Sequence, residues 1–204
     1  MKNIDISEGQ SFRFTTRHRI IFALLIVIGV ASLVLAIFQQ TPGQVWGSLL
    51  LNNTLFLSMS LGAFLFVAVH IISKAVWFLT FKRIAEAAGM FLPVVAILML
   101  ILFLGAKQFL PWAGTEHTDA ILEQKSPYLN LPFFIIRQVI ILSIWVWLIL
   151  KIRKLSLRSD RLVEDRFLQK SRIFSTLFIV FTFIVIAVFS WDWMMSLEPH
   201  WYST

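Results

Sequence analysis

Five long apolar runs separated by polar segments set the pattern of this 204-residue chain. Each run is close to the ~20 residues that an α-helix needs to cross ~30 Å of hydrocarbon. We therefore predict five transmembrane helices, approximately over residues 20–38, 53–78, 87–104, 132–150 and 173–191. Within lipid a helix satisfies all its backbone polar groups internally, so the predicted fold class is an all-α helical bundle. We expect a single membrane domain over residues 1–204.

Polar and charged segments connect the predicted helices. We expect connections over residues 39–43, 82–86, 107–131 and 151–172. The first contains Pro42 and Gly43, which favour a turn. The last is the most charged of the four. Pro93 lies near the start of the third predicted helix, where a proline can kink a membrane helix without breaking it.

Composition and charge agree with a membrane protein. The chain is 58% hydrophobic, against about 45–50% for a soluble domain. Its formal net charge is +7, but the basic residues cluster beside the apolar runs, and no nucleic-acid-binding motif is present. Fifteen Lys and Arg residues fall on one side of the predicted membrane and two on the other. The positive-inside rule therefore predicts a cytoplasmic N-terminus and a periplasmic C-terminus.

The residue types limit the chemistry that this chain can perform alone. It has no cysteine, which excludes a disulfide and a thiolate-bound iron–sulfur cluster on this chain. Its four histidines are His18, His70, His117 and His200. Only His70 falls within a predicted helix, so a haem held by two histidines of this chain is not expected. No metal-binding spacing is apparent, and we expect no metal site.

The C-terminal stretch is unusual, because an apolar run turns aromatic and polar at once. Residues 189–204 read F-S-W-D-W-M-M-S-L-E-P-H-W-Y-S-T, and residues 125–137 read K-S-P-Y-L-N-L-P-F-F-I-I-R. Aromatic rings of this kind are also typical of an ordinary membrane-interface belt. Both stretches, and the first more strongly, resemble the second of the two polysulfide-reductase-like (NrfD-type) membrane subunits of bacterial alternative complex III.

That resemblance implies a function in respiration. Members of the family sit in the bacterial inner membrane as multi-pass subunits and bind or face quinol. The complex oxidises quinol and reduces a cytochrome c or a terminal oxidase. The implied partners are membrane lipid, a multihaem cytochrome c subunit, an iron–sulfur subunit and a second NrfD-like subunit. Haem c and iron–sulfur clusters are then expected on the partners and no cofactor on this chain alone, while quinol binding by this chain stays open.

The family subunits have about twice as many membrane spans as this chain. The resemblance therefore implies that the 204 residues correspond to an N-terminal half, which is a truncated product, a partial sequence or one segment of a longer subunit. It also implies that the second NrfD-like subunit offers a proton path rather than the principal quinol site.

His70 and Lys74 form the first candidate site. They are four residues apart in the second predicted helix and would share one helix face. His70 could relay a proton or bind a quinone carbonyl, since its unperturbed pKa is ~6.5. Alternatively, His70 is neutral and satisfied within the bundle, and Lys74 extends to the inner headgroups. Glu86 is the predicted partner of Lys74 in a structural ion pair.

Arg137 and Asp192 form the second candidate site. Both lie near the outer ends of their predicted helices, where opposite charges in a low dielectric should pair. The pair either locks two helices together or lines a proton exit or quinol pocket. Glu198 and His200 follow just outside. They could continue a path, contact a partner subunit or be ordinary surface residues.

Three functions are compatible with these features. The first is a membrane subunit of a quinol:cytochrome c oxidoreductase, in which the candidate residues line a polar path or face a quinone and the chain has no redox centre. The second is a purely structural membrane anchor with satisfied ion pairs. The third is an independent ion or solute transporter, which would be active when expressed alone.

Overall fold

The structure is a computed structural model that describes residues 15–114, 120–161 and 165–198. Its α-helices, in chain order, are α1 Thr16–Gln39, α2 Pro42–Ile72, α3 Lys82–Gly89, α4 Leu92–Ile101, α5 Ala106–Phe109, α6 Ala120–Lys125, α7 Leu131–Arg161 and α8 Asp165–Trp193. Within the described ranges there is no β-strand. Five helical segments are long and apolar enough to span a membrane, with α3, α4 and α5 together forming the third. The predicted all-α membrane fold is confirmed.

The last two helices are longer than the apolar runs that predicted them. α7 continues to Arg161 and α8 begins at Asp165, so most of the expected connection over residues 151–172 is helical. That part of the prediction was wrong. Hydropathy follows the thickness of the membrane, whereas Lys and Arg are good helix formers and allow a helix to continue beyond it.

α2 begins and ends earlier than the second apolar run. Pro42 occupies its first position, which suits a residue that lacks an amide hydrogen. The helix ends at Ile72, and Lys74 has a φ of 55°, a left-handed conformation that usually favours glycine. The amide of Ala75 then donates to the carbonyl of His70 at 3.2 Å, which closes the helix end. The helix therefore begins eleven residues before the predicted span over residues 53–78 and ends six residues before it does.

The third span is interrupted at the proline that predicted a kink. α3 ends at Gly89 and α4 begins at Leu92, with Pro93 in its first turn. Because proline has no amide hydrogen to donate to the preceding turn, the helix can restart there at little cost. The break separates the polar inner helix α3 from the apolar helix α4 within one span.

The chain divides into two compact units, Met1–Thr41 and Pro42–Thr204. In the first, no residue of α1 is buried. The second has an extensive aromatic and aliphatic core, whose largest fully buried side chains include Trp112, Trp145, Trp193, Phe64, Phe134 and Phe178. Small residues allow close helix contact there. A Cβ on Gly105 would lie 2.1 Å from the Trp46 ring.

Candidate functional site

Asp192 is the centre of a buried polar network, which we call the outer cluster after the predicted orientation. Its side chain is 0% exposed and accepts hydrogen bonds from side chains of three other residues. Arg137 binds it with two nitrogens, Nε to Oδ2 at 2.7 Å and Nη2 to Oδ1 at 2.6 Å. Tyr128 Oη donates to Oδ1 at 2.9 Å, and the Gln138 amide donates to Oδ2. The predicted Arg137–Asp192 pair is confirmed.

Further contacts hold the donors of the outer cluster in place. Trp193 Nε1 donates to Gln138 Oε1 at 2.9 Å, which orients the amide so that its nitrogen faces Asp192. The Arg137 guanidinium lies 4.0 Å from the centre of the Tyr128 ring and 4.7 Å from that of Phe133. Such contacts stabilise a cation that has lost water. With four donors on its two oxygens, the Asp192 carboxylate is saturated, and a proton could bind only by displacing one of them.

The Tyr128 hydroxyl stays protonated in this network. Burial of the hydroxyl, followed by the neighbouring negative charge of Asp192, raises the pKa of Tyr128 to about 12. Tyr128 precedes α7 and so lies outside the spanning segment. It therefore acts as a hydrogen-bond donor to Asp192 over the physiological pH range.

An open groove borders the outer cluster. It has a volume of about 510 Å³, and its lining includes Tyr128, Leu129, Trp191, Met195, Ser196 and Lys125. The walls are mainly apolar, and the Trp191 ring is 52% exposed. Tyr128 belongs to both groove and cluster, so a molecule in the groove would contact a side chain bonded to Asp192. We call this the outer groove.

A second buried carboxylate lies at the opposite end of the second unit. Glu86 on α3 is 0% exposed and accepts hydrogen bonds from Arg83, Arg153 and Ser156. Arg153 and Ser156 lie on α7, so this inner cluster joins α3 to α7. The prediction that Glu86 pairs with Lys74 was wrong. Glu86 was expected at the membrane boundary, but the extension of α7 past residue 150 brings Arg153 to it instead.

His70 lies in the last turn of α2 among aromatic side chains. Its Nδ1 lies 2.7 Å from the Phe66 carbonyl oxygen, and its ring stacks on Phe78 with a centroid distance of 4.8 Å. Trp77 meets the same ring edge-on at 4.7 Å. Lys74 lies beyond the helix end, so the prediction that it shares a helix face with His70 was wrong. The turn nevertheless brings both residues to one cavity, described below.

The remaining predicted site residues lie at the C-terminal end. Glu198 is exposed and follows the short 3₁₀ turn Met195–Leu197, whose residue Met195 accepts a hydrogen bond from the Glu198 amide at 3.2 Å. His200 lies outside the described residues. Their predicted roles in a proton path or a partner contact stay predictions.

Polar contacts between the two clusters are sparse along α8. Trp145 Nε1 donates to Thr182 Oγ1 at 3.0 Å inside the core. Ten residues of helix separate Thr182 from Asp192, a rise of ~15 Å that no direct hydrogen bond spans. A proton moving between these two residues would therefore need water molecules or other groups.

Sequence reasoning missed several members of both clusters. Gln138 and Trp193 adjoin predicted site residues, and a polar amide inside an apolar run is itself a signal. Tyr128 was quoted only as part of a resemblance, because its approach to Asp192 depends on the turn before α7. Arg153 and Ser156 were assigned to a connection, so their shared helix face with the fourth span was overlooked.

Comparison with known proteins adds no assignment. No protein family matches this chain, and no curated protein matches it either.

Proposed function

We propose that the chain is a membrane subunit of a respiratory quinol:electron-acceptor oxidoreductase complex, and that its outer groove faces a quinone headgroup. The observation that carries the proposal is the outer groove itself, where an open, mainly apolar wall meets a hydroxyl bonded to a buried carboxylate. A quinone has the same combination of properties, with an apolar ring and tail and two polar oxygens. The resemblance of residues 125–137 and 189–204 to NrfD-type subunits is a second support.

Individual residues of the outer groove suit a quinone ring. Trp191 and Met195 offer a flat aromatic face and a polarisable thioether, both favourable contacts for a planar ring. Tyr128 Oη donates its proton to Asp192 and keeps free lone pairs, so it could accept a hydrogen bond from a quinol hydroxyl. The outer cluster thus orients Tyr128, and Tyr128 orients the headgroup.

In this proposal Asp192 has a positioning role, because its carboxylate is saturated with hydrogen bonds. A general base needs a free lone pair within reach of the proton it accepts. All four donors on Asp192 come from the chain itself, and its side chain is 0% exposed. Electrons from quinol would pass to the haem and iron–sulfur centres that the resemblance implies on partner subunits, because without cysteine this chain cannot hold a thiolate-bound cluster itself. The two protons would leave towards the aqueous side nearest the groove.

A purely structural anchor is the second candidate, and one observation favours it. Both buried carboxylates have several partners within the chain, as expected of ion pairs that lock helices together. In that case the outer groove would hold lipid.

Extraction of the tagged full chain from the membranes in which it is naturally made, with a mild detergent, tests the proposal. Mass spectrometry, a haem spectrum and extraction of bound quinone are measured on the purified sample. Co-purification with a multihaem cytochrome c and an iron–sulfur protein is the expected result. A chain that purifies alone and colourless would contradict membership of the complex and would favour an independent transporter.

A Trp191→Ala variant separates the quinone-facing subunit from the anchor. If the groove faces quinol, the assembled complex should show a several-fold higher KM for quinol with unchanged subunit composition. Phe183→Ala is a matched control, since Phe183 is 67% exposed on the same helix and is not in the groove. An unchanged KM in the assembled Trp191 variant would leave only the anchor role.

A further inference from the structure

A second cavity lies at the predicted inner end and has a different chemistry from the outer groove. It has a volume of about 220 Å³. Its polar lining residues are His70, Lys74, Lys82, Ser159, Ser171 and Arg172. They come from five elements, namely α2, the turn after it, the start of α3, and the facing ends of α7 and α8. We call this the inner pocket.

The inner pocket is strongly basic. Lys74, Lys82 and Arg172 converge on it from separate elements, and none of the described residues that line it is acidic. The buried carboxylate of Glu86, which Arg83 and Arg153 bind, also acts on the charge of Lys82, so the positive charge of the pocket rests mainly on Lys74 and Arg172. The Ser171 hydroxyl adds an uncharged donor, whereas the Ser159 hydroxyl already donates to the Ser156 carbonyl at 2.9 Å. Cations combined with hydroxyls are the groups that bind a phosphate.

The position of Lys74 brings its charge to the pocket. At φ 55° it occupies the helix-ending position that usually favours glycine. The chain turns there, so Lys74 lines the same cavity as Lys82 and Arg172 although α2 has already ended. Lys74 therefore ends the helix and also places a positive charge at the cavity.

Apolar side chains continue outward from the basic residues. Val76 is 76% exposed, Leu79 is 62% exposed and Leu168 is 40% exposed, and all three line the pocket. A free anion would gain nothing from this apolar rim. A phospholipid would place its phosphate on the cations and its acyl chains along the rim. The predicted orientation also turns this end towards the cytoplasmic leaflet, where anionic lipids attract basic pockets between helices.

We propose that the inner pocket binds a phosphate group, and that the headgroup of an anionic phospholipid presents it. Lys74 and Arg172 make the principal charge contacts, Ser171 donates a hydrogen bond, and the acyl chains lie along the apolar rim. This site is at the opposite end from the outer groove and does not depend on the proposed function.

Native mass spectrometry of the full chain in a non-ionic detergent tests the proposal. Phosphatidylglycerol, phosphatidylcholine and inorganic phosphate are titrated separately. We expect phosphatidylglycerol to bind with 1:1 stoichiometry and at least ~10-fold more tightly than phosphatidylcholine. Competition by inorganic phosphate at similar concentrations would overturn the lipid source. Because phosphatidylcholine also carries a phosphate but has no net charge, equal binding of both lipids would overturn recognition of an anionic headgroup, and with it the proposal.

Charge-matched variants locate the site. Lys74→Gln combined with Arg172→Gln should weaken phosphatidylglycerol binding by about 30-fold, since each basic residue near a charged lipid contributes roughly a fivefold factor. Lys154→Gln combined with Lys170→Gln removes the same charge from exposed residues outside the pocket. We expect that control to bind within ~3-fold of the original chain. Equal weakening in both double variants would show diffuse surface attraction and would overturn the proposal.

Discussion

The two ends of the second unit each bury a carboxylate, yet they surround it differently. At the outer end one arginine binds Asp192 with two nitrogens, and its side chain is only 12% exposed. At the inner end two arginines share Glu86, and their side chains are 37% and 25% exposed. The outer pair is closed and formally neutral, whereas the inner set is open and formally positive. Breaking the closed pair leaves a buried charge without water or a counterion, which is costly. The groups of the open set can exchange partners with water and headgroups, so breaking one contact costs less.

The difference predicts different responses to loss of an arginine. Arg137→Met leaves Asp192 buried without a cation, so the free energy of unfolding should fall by about 3–5 kcal/mol. Denaturant unfolding in detergent micelles measures this. Arg137→Met combined with Asp192→Leu removes both charges and should recover most of the loss. A loss below about 1 kcal/mol in the single variant would show that Asp192 is not held as described.

Arg153→Met tests the inner cluster in the same assay. Glu86 retains Arg83 and Ser156, so the loss should be smaller, about 1.5–3 kcal/mol. Lys154→Met is the neighbouring control, since Lys154 is exposed. An effect of Arg153→Met as large as that of Arg137→Met would remove the distinction between the closed and the open cluster.

Tyr128→Phe sharpens the comparison by removing a single donor from the closed cluster. Asp192 keeps Arg137 and Gln138, and the ring contact with Arg137 is retained. The unfolding free energy should therefore fall by about 1 kcal/mol. Under the proposed function, KM for quinol should also rise in the assembled complex. Loss of stability with unchanged KM would count against a quinone in the outer groove.

The pH dependence of stability is the smallest expected effect. An unfolded tyrosine loses its proton near pH 10, but Tyr128 keeps its proton until about pH 12. Its contribution is therefore fully present below pH ~10 and is lost as the pH rises from there through about 12. Ultraviolet titration of tyrosinate follows this directly, because the chain has only Tyr128 and Tyr202. Tyr128→Phe should remove the later transition, and persistence of that transition would assign it to Tyr202.

Sequence reasoning predicted the fold and one of the two clusters for identifiable reasons. Mean hydropathy over ~20 residues identifies spanning helices, because in lipid a chain segment must satisfy its own backbone hydrogen bonds and a helix does so. Arg137 and Asp192 were paired correctly because both lie near the ends of apolar runs, which places them at equal depth. The same reasoning assigned Glu86 to Lys74, since it took the apolar run as the whole helix.

Other features depend on geometry that a hydropathy pattern does not contain. The left-handed turn occurs at Lys74, where no glycine is present to indicate it, so the predicted helix continued through this position. Tyr128 reaches Asp192 from 64 positions away, across the turn that precedes α7. The inner pocket combines residues of five elements, and no local pattern links Lys74 to Arg172.

Photolabelling of the assembled complex with a photoreactive quinone tests the central claim most directly. Peptides that carry the label are then identified by mass spectrometry. The account predicts label on Tyr128, Trp191 or Met195, in amounts that fall when excess quinol competes. Label confined to other subunits would contradict a quinone-facing outer groove. So would label on this chain whose amount stays the same when excess quinol is added.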